Sequence, residues 1–205
     1  MKLLYMNQGV GGQWGAIKYS DYSVIMLAES ADVKIGFFPI WNSAKDSLPV
    51  MSVQTGAGRV ITGPTDLFTA AQHVRPVVTF QITGGDAVRV VFMHLKSGNE
   101  KAASAALATA VDMIVAKQTN HLEKVIWIGD FNRATTDHLA NTFKNVQALI
   151  QAGGVAAWSL DCAYATGDWT GYTLSASVVS KSSDNDHAAI AISYTKTPSV
   201  NKTSV

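Results

Sequence analysis

Short apolar and β-branched runs recur along the chain, and most of them are bounded by Gly, Pro, Asn or Asp. Runs of this kind between turn-forming residues indicate β-strands. The two runs on either side of Thr83–Asp86 are close enough to form a hairpin. The predicted strands are Lys2–Met6, Ser23–Leu27, Val33–Phe38, Pro49–Val53, Val77–Ile82, Ala87–Met93, Lys124–Ile128, Tyr172–Val179 and Ala188–Tyr194.

Two segments have apolar residues at helical spacing. Asn99 is placed to cap a helix over Glu100–Gln118. A second helix is predicted over Thr136–Gln151, ended by Gly153 and Gly154. Strands far outnumber helices, and several connections are too short for parallel crossovers. The pattern therefore predicts a layered α/β fold with mixed sheets rather than a doubly wound one.

Composition narrows the class of protein. A chain of 205 residues with 47% hydrophobic and 15% charged residues is globular and long enough for one core. We expect one domain over residues 1–194, followed by a flexible tail over residues 195–205, which is polar and aperiodic. The net charge of +1 excludes a strongly basic surface, so local charges and a metal would have to hold any nucleic acid. The one cysteine, Cys162, excludes an internal disulfide.

The apolar runs and the N-terminus bear on where in the cell the protein is expected. No apolar run approaches 18 residues, so no transmembrane segment is predicted. Met1–Asn7 has one lysine and no small-residue cleavage site, which indicates a first strand rather than a signal peptide. We expect a cytoplasmic monomer if the chain is complete, and a secreted protein if a leader has been removed.

Polar residues stand where apolar strands end. The run Val125–Ile128 leads into Gly129, Asp130, Phe131 and Asn132. Asp130 and Asn132 are two residues apart, so on an extended segment they point to the same side. An acid and an amide placed together suit a hard cation or a phosphoryl group. An Asx-rich turn that merely ends the strand is the alternative.

Further polar residues occupy similar positions. His94 ends an apolar strand, and Asp161 lies in an apolar segment, where a carboxylate needs a partner such as a histidine. Asp186 and His187 precede the last predicted strand, where the acid orients the ring or binds a metal. Each residue taken singly is equally a cap, turn or surface residue, but the set indicates a site. The remaining two members are Asn7 and Glu29.

These segments, in this order, resemble the endonuclease/exonuclease/phosphatase superfamily, which includes pancreatic-type deoxyribonuclease, abasic-site endonucleases, neutral sphingomyelinases and inositol polyphosphate 5-phosphatases. The resemblance rests on Asn7, Glu29, His94-Leu95-Lys96-Ser97, Gly129-Asp130-Phe131-Asn132, Leu160-Asp161 and Asp186-His187. Gly129–Ala134, Arg75-Pro76 and Leu160-Asp161 are most similar to the nuclease subunit of cytolethal distending toxin. The resemblance implies a four-layer α/β sandwich, two mixed β-sheets flanked by helices.

The resemblance also implies a metal site. By similarity, Glu29 binds the divalent metal, with Asn7 and Asp186 near it. Mg²⁺ is the expected ion, because it needs only one or two carboxylates, and Mn²⁺ or Ca²⁺ are the alternatives. Asp184 is the alternative acid to Asp186.

The remaining residues receive catalytic and substrate-binding roles by the same similarity. Asp161 pairs with His187, which takes a proton from the attacking water. Asp130 and Asn132 place the nucleophile and a phosphoryl oxygen, and His94 stabilises the transition-state charge or protonates the leaving oxygen. The remaining member, Arg75, binds a phosphate through a bidentate contact of its guanidinium. The superfamily's deoxyribonuclease branch has a glutamate partner for the first histidine, and no residue between Asp32 and Asp66 matches it.

The function implied is Mg²⁺-dependent phosphodiester hydrolysis, with the DNA phosphate backbone as partner and little sequence specificity. No segment resembles a base-reading helix. Two alternatives stay open on the same core. One is a phosphatase or phosphodiesterase acting on a phosphoinositide or phospholipid, and the other is a catalytically inactive binding homologue.

Overall fold

The computed structural model describes residues 1–8, 14–30, 32–43, 51–56, 61–68, 75–83, 87–118, 123–132, 134–152, 160–182 and 187–198. Within these ranges there are twelve strands, two α-helices and one turn of 3₁₀ helix at Tyr19–Asp21. The strands are β1 Lys2–Asn7, β2 Val24–Ala28, β3 Phe37–Asn42, β4 Met51–Gly56, β5 Ile61–Asp66, β6 Val77–Ile82, β7 Val88–His94, β8 Lys124–Asp130, β9 Val146–Ala152, β10 Asp161–Thr166, β11 Tyr172–Lys181 and β12 Ala188–Lys196. The helices are α1 Glu100–Lys117 and α2 Asp137–Thr142.

The strands form two six-stranded sheets with the same internal plan. The first sheet has the order β11-β12-β1-β2-β4-β3, and the second has the order β5-β6-β7-β8-β10-β9. Each sheet has one parallel pair near its centre, β1 with β2 and β7 with β8, and antiparallel pairs elsewhere. β1 therefore corresponds in position to β7, and β2 to β8. A residue at the end of one of these strands has a residue in the equivalent position on the other sheet.

The main core lies between the two sheets. Alternate residues of β1 and β2, such as Leu3, Tyr5 and Met26, pack against Phe80 and Phe92 of the second sheet. These side chains are almost fully buried, so their apolar area drives the two sheets together. The period-two alternation of the strands thus determines which face of each sheet is internal.

The outer faces of the sheets are covered differently. Helix α1 begins at Asn99, whose side chain accepts a hydrogen bond from the amide of Ala102 at 2.9 Å. Its apolar face and Leu139 of α2 pack on the outer side of the second sheet. On the first sheet, the described covering is the segment 14–22, which packs on residues such as Met6 and Leu27 and holds only the 3₁₀ turn.

The fold class implied by the resemblance is confirmed: the structure is an α/β sandwich of two mixed sheets. Its helix content is low. Within the described ranges both α-helices lie on the second sheet, and no α-helix covers the first. The predicted hairpin around Thr83–Asp86 is confirmed in its pairing, since β6 and β7 are antiparallel with Ile82 opposite Val88. No helix in the described part of the chain is long and apolar enough to cross a membrane.

Several predicted elements were wrong. The helix predicted over Thr136–Gln151 ends at Thr142, and β9 follows it as an edge strand on β10. Pairing with β10 satisfies the backbone of this segment, so tertiary context outweighs its helical spacing. The segment Val33–Phe38 becomes strand only from Phe37 onwards. Strands β5 and β10 were missed, and β5 contains Gly63 and Pro64, which disguise an edge strand.

Candidate active site

The candidate site lies where central strands of both sheets end. β1 ends at Asn7 and β7 at His94, the corresponding strand of the second sheet. Glu29 follows β2, and Asp130 is the last residue of β8. The other described members are Asp161 at the start of β10, His187 just before β12, Arg75 before β6 and Asn132 after β8. The structure thus brings together eight of the nine predicted site residues, and Asp186 lies outside the described residues.

A histidine–aspartate dyad crosses between the two sheets. Nδ1 of His187 lies 3.2 Å from Oδ2 of Asp161 and 3.3 Å from its Oδ1. Oδ2 also accepts a hydrogen bond from the backbone amide of Ala188 at 2.7 Å. The hydroxyl of Tyr5 donates to Oδ1 of Asp161 at 2.8 Å. Asp161 is fully buried, and these donors compensate its lost hydration.

Burial and charge act on both members of the dyad. Burial raises the pKa of Asp161, opposed chiefly by its hydrogen bond from His187. Burial alone would lower the pKa of His187, but the hydrogen bond to Asp161 and the charges of Asp161, Asp130 and Glu29 raise that pKa to about 9. The structure therefore favours a proton on His187 while the surrounding carboxylates are uncompensated.

Asn7 links the dyad to Asp130. Its Nδ2 donates to Oδ2 of Asp130 at 3.1 Å and lies 3.3 Å from Nε2 of His187. Asn7 is 1% exposed and Asp130 is 2% exposed, so the amide position is set by packing. The side chain of Asn7 therefore contacts the two groups that the resemblance assigns to proton transfer and nucleophile placement.

A second group of charges surrounds His94. Its Nε2 lies 3.4 Å from Oε1 of Glu29 and 3.4 Å from Oδ2 of Asp130. Nη1 of Arg75 lies 2.6 Å from the same nitrogen and 2.7 Å from the carbonyl oxygen of Leu95, to which it donates. Nδ1 of His94 is buried and has no hydrogen-bond partner among the described residues. The polar neighbours of His94 among the described residues therefore all lie at Nε2, and none of them takes the place of an orienting glutamate at Nδ1.

Arg75 is itself partly buried in this group. Burial lowers the pKa of its guanidinium, while the charges of Asp130 and Glu29 act in the opposite direction. Nη2 also lies 3.4 Å from Oγ of Ser97. A guanidinium keeps its charge under all working conditions, so it is a cation placed beside two carboxylates and one imidazole.

Two site residues have an uncommon backbone conformation. Glu29 has φ of 59° and Asn132 has φ of 44°, in the left-handed region that side chains other than glycine rarely adopt. Asn132 is held there by its backbone amide, which donates to Oδ1 of Asp130 at 2.9 Å, and by its Nδ2, which donates to the Leu95 carbonyl at 2.6 Å. Such conformations cluster at functional sites, where neighbouring contacts hold them in place.

Oxygen ligands suitable for a metal lie on the Glu29 side of the site. Ligand atoms of Asp130, Asp161 and His187 lie within 4.8 Å of one another. Both oxygens of Asp161, however, already accept hydrogen bonds, which makes it a poor ligand. Glu29 and Asp130 approach the same His94 nitrogen, so their negative charges lie side by side. Two adjacent carboxylates fit a hard divalent cation, which needs few protein ligands.

Sequence reasoning missed Tyr5 as part of the site, and it named Ser97 within the His94–Ser97 segment without giving it a role. Tyr5 is two residues before Asn7 on β1, so the two side chains share one face of the strand. This two-residue spacing from Asn7 was the sequence signal that could have identified Tyr5 as part of the site. A cavity of about 420 Å³ adjoins the site and is lined by Ser97, Gly98, Asn99, Glu100, Asn132 and Leu160.

Comparison with known proteins supports the fold. No protein-family model matches the chain, and no curated protein matches it. A D. rerio TDP2 humanised by 14 mutations has a TM-score of 0.69 and 14% identity, over 95% of this chain and 99% of that one. D. rerio TDP2 in complex with a single-stranded DNA product has a TM-score of 0.65 and 14% identity, over 96% of this chain and 99% of that one. Staphylococcus aureus beta toxin has a TM-score of 0.63 and 14% identity, over 94% of this chain and 99% of that one. These matches show the fold: the chain shares a sandwich of two mixed β-sheets with these proteins.

Proposed function

We propose that this protein is a divalent-metal-dependent phosphodiester hydrolase that cleaves DNA with little sequence specificity. The observation that carries the proposal is the joint placement of an Asp161–His187 dyad, whose carboxylate is fully buried, and a Glu29–Asp130 acid pair at one end of the sandwich. A phosphodiester needs a base for the attacking water and cationic stabilisation for the phosphoryl oxygens. This arrangement supplies the base and holds ligands for the cation.

In the proposed reaction, His187 accepts a proton from water as the water oxygen forms a bond to phosphorus. The bond from phosphorus to the leaving oxygen breaks in line, and that oxygen takes a proton from Nε2 of His94 after this nitrogen has taken one up from solvent. Asp161 orients the ring through Nδ1, leaving Nε2 directed towards Asn7. Glu29 and Asp130 would hold a divalent cation, Mg²⁺ in the first instance, which would supply charge stabilisation to the phosphoryl oxygens.

Arg75 and His94 act on the substrate side in this proposal. The guanidinium only donates, so Nε2 of His94 accepts from Arg75 in the substrate-free protein. A phosphate that attracts Arg75 away frees that nitrogen to take up a proton from solvent, which it then donates to the leaving oxygen. Asn132, held at Leu95, is the neighbouring amide for a phosphoryl oxygen. Positioning and charge stabilisation supply most of the rate in this chemistry.

The cavity beside the site favours DNA over a polyphosphorylated ring. Its lining includes the Glu100 carboxylate and the neutral polar side chains of Ser97, Asn99 and Asn132. None of these lining residues is basic, so the described lining of the cavity offers no cationic side chain to the further phosphates of a polyphosphorylated ring. TDP2, which shares the fold, has been crystallised with a single-stranded DNA product. Both points support the nuclease proposal over phosphoinositide hydrolysis.

The test is nicking of supercoiled plasmid in the presence of Mg²⁺. We expect nicking that EDTA abolishes and that His187→Ala reduces by roughly 10²- to 10⁴-fold, the usual contribution of a positioned base. His138→Ala is the matched control, because His138 is an exposed histidine that pairs with Asp112 on the helical layer. A wild-type protein that leaves plasmid intact would refute the nuclease proposal, and phosphoinositide and sphingomyelin substrates would then be tested.

A further inference from the structure

Tyr5 is the only described tyrosine whose hydroxyl donates to a residue of the dyad. It lies on β1, opposite Ile190 of β12 and Met26 of β2, and it is 0% exposed. Its ring packs edge-on against Phe92 of the second sheet, with ring centroids 5.9 Å apart. The hydroxyl therefore enters the space between the sheets, where a polar group needs a partner.

The dyad needs such a fixed partner because its members belong to different sheets. Asp161 begins β10 in the second sheet, whereas His187 precedes β12 in the first. The Tyr5 hydroxyl and the Ala188 amide both come from the first sheet and bind different oxygens of Asp161. Together they fix the rotation of the carboxylate, so that His187 meets it in one orientation.

We propose that Tyr5 is a positioning residue, whose hydroxyl orients the Asp161 carboxylate towards Nδ1 of His187. The inference rests on the proposed function, because it assigns Tyr5 to the same proton-transfer site. Without the hydroxyl, Oδ1 of Asp161 loses the hydrogen bond from Tyr5, and the carboxylate gains freedom to rotate. The ring of His187 then loses its defined direction, although every proposed catalytic group is still present.

The alternative is that Tyr5 serves only to fill the core. Phenylalanine has the same ring and would keep the contact with Phe92, so Tyr5→Phe separates the two roles. Tyr164→Phe is the matched control. Tyr164 is also a buried tyrosine, and its hydroxyl accepts from Nε2 of Gln151 at 2.7 Å rather than binding the dyad.

The first measurement is the low-field proton resonance of Nδ1–H in His187, recorded by NMR without any substrate. We expect Tyr5→Phe to shift or broaden this resonance and Tyr164→Phe to leave it in place. The second measurement is hydrolysis, in which Tyr5→Phe should lower kcat roughly tenfold with KM unchanged, since the lost hydrogen bond is to a charged group.

A double-mutant cycle with Asp161→Asn tests whether Tyr5 acts through Asp161. We expect the effect of Tyr5→Phe on kcat to be much smaller in the Asp161→Asn background, because the carboxylate it orients is gone. An unchanged resonance in Tyr5→Phe, an equal loss of kcat in Tyr164→Phe, or full additivity would each overturn the inference. An inert wild-type protein would refute the proposed function instead, and the resonance alone would then decide the role of Tyr5.

Discussion

At the scale of single residues, the site is a balance of charges around two histidines. Glu29 and Asp130 lie beside His94, and their charges also contribute to the raised pKa of His187. A histidine that already holds a proton cannot accept one from water. Compensation of these carboxylates by a cation is therefore part of what the proposed base needs.

The first prediction concerns the pKa of His187 with and without metal. In NMR titration without divalent ions we expect its midpoint at a pKa of about 9. Addition of Mg²⁺ should lower that midpoint, because a cation beside Glu29 opposes the charges that raise it. The ring resonances of the exposed His138 should not change when Mg²⁺ is added at constant pH. If the midpoint of His187 does not move, Mg²⁺ does not bind beside it.

The second prediction concerns the single cysteine. Cys162 adjoins Asp161 but is 4% exposed, and burial, with the charge of Asp161 as a smaller cause, raises the pKa of its thiol to about 12. The thiolate is the reactive form, so we expect no reaction with a disulfide reagent at pH 8 in the folded protein. The denatured protein should react fully and serves as the control. Rapid labelling of the native protein would contradict the burial described here.

At the scale of elements, the parallel pair of β7 and β8 delivers His94 and Asp130 side by side. The two residues are directly opposite in the register of these strands. Gly129 precedes Asp130 and faces the Met93 backbone so closely that an added Cβ would lie 1.8 Å from the Met93 carbonyl oxygen. The absence of a side chain at this position is therefore a condition for the approach of the two strand ends.

The third prediction follows from that contact. Gly129→Ala should lower the free energy of unfolding by about 3 kcal/mol or more, because the clash is with backbone and can be relieved only by separating β7 from β8. Gly56→Ala is the matched control. Its added Cβ would make an ordinary contact of 3.8 Å with the Phe37 ring. Urea denaturation of both variants measures the difference, and similar losses in the two would contradict the prediction.

At the scale of the whole molecule, the dyad connects proton binding to the packing of the sandwich. Asp161 belongs to the second sheet and His187 adjoins the first, so unfolding separates them. The folded state binds the His187 proton more tightly than the unfolded chain does, with a pKa of about 9 against 6.5. Stability from this source is fully present below pH 6.5 and is lost as the pH rises through 9.

The fourth prediction is the corresponding pH dependence of stability. Without divalent metal, the free energy of unfolding should fall between pH 6.5 and pH 9 by on the order of 1 kcal/mol, a value reduced for the partial exposure of the ring. His187→Gln removes the titrating group and should flatten the dependence. Urea denaturation at the two pH values gives the comparison. An equal decline in His187→Gln would assign the effect to other groups.

Much of the architecture could be predicted from local sequence. Strands β6 and β12 are recognisable because their apolar residues follow one another between turn-forming neighbours. Helix α1 is recognisable from its Asn99 cap and its buried stripe. The same reasoning failed for β9, whose helical spacing was outweighed by pairing with β10. The pairing of an edge segment such as β9 is decided by the neighbouring strand that is available, which local spacing does not record.

The sequence by itself determined the kinds of groups at the site, since polar residues that interrupt apolar strands are visible without a structure. Only the tertiary structure decided which of these groups meet. Asn7 and Asp130 are 123 residues apart, and Tyr5 and Asp161 are 156 residues apart. The order of strands in the two sheets brings such distant residues into contact. Burial and the charges brought together between the sheets then set the pKa values of Asp161 and His187, and both are properties of the assembled fold rather than of any segment.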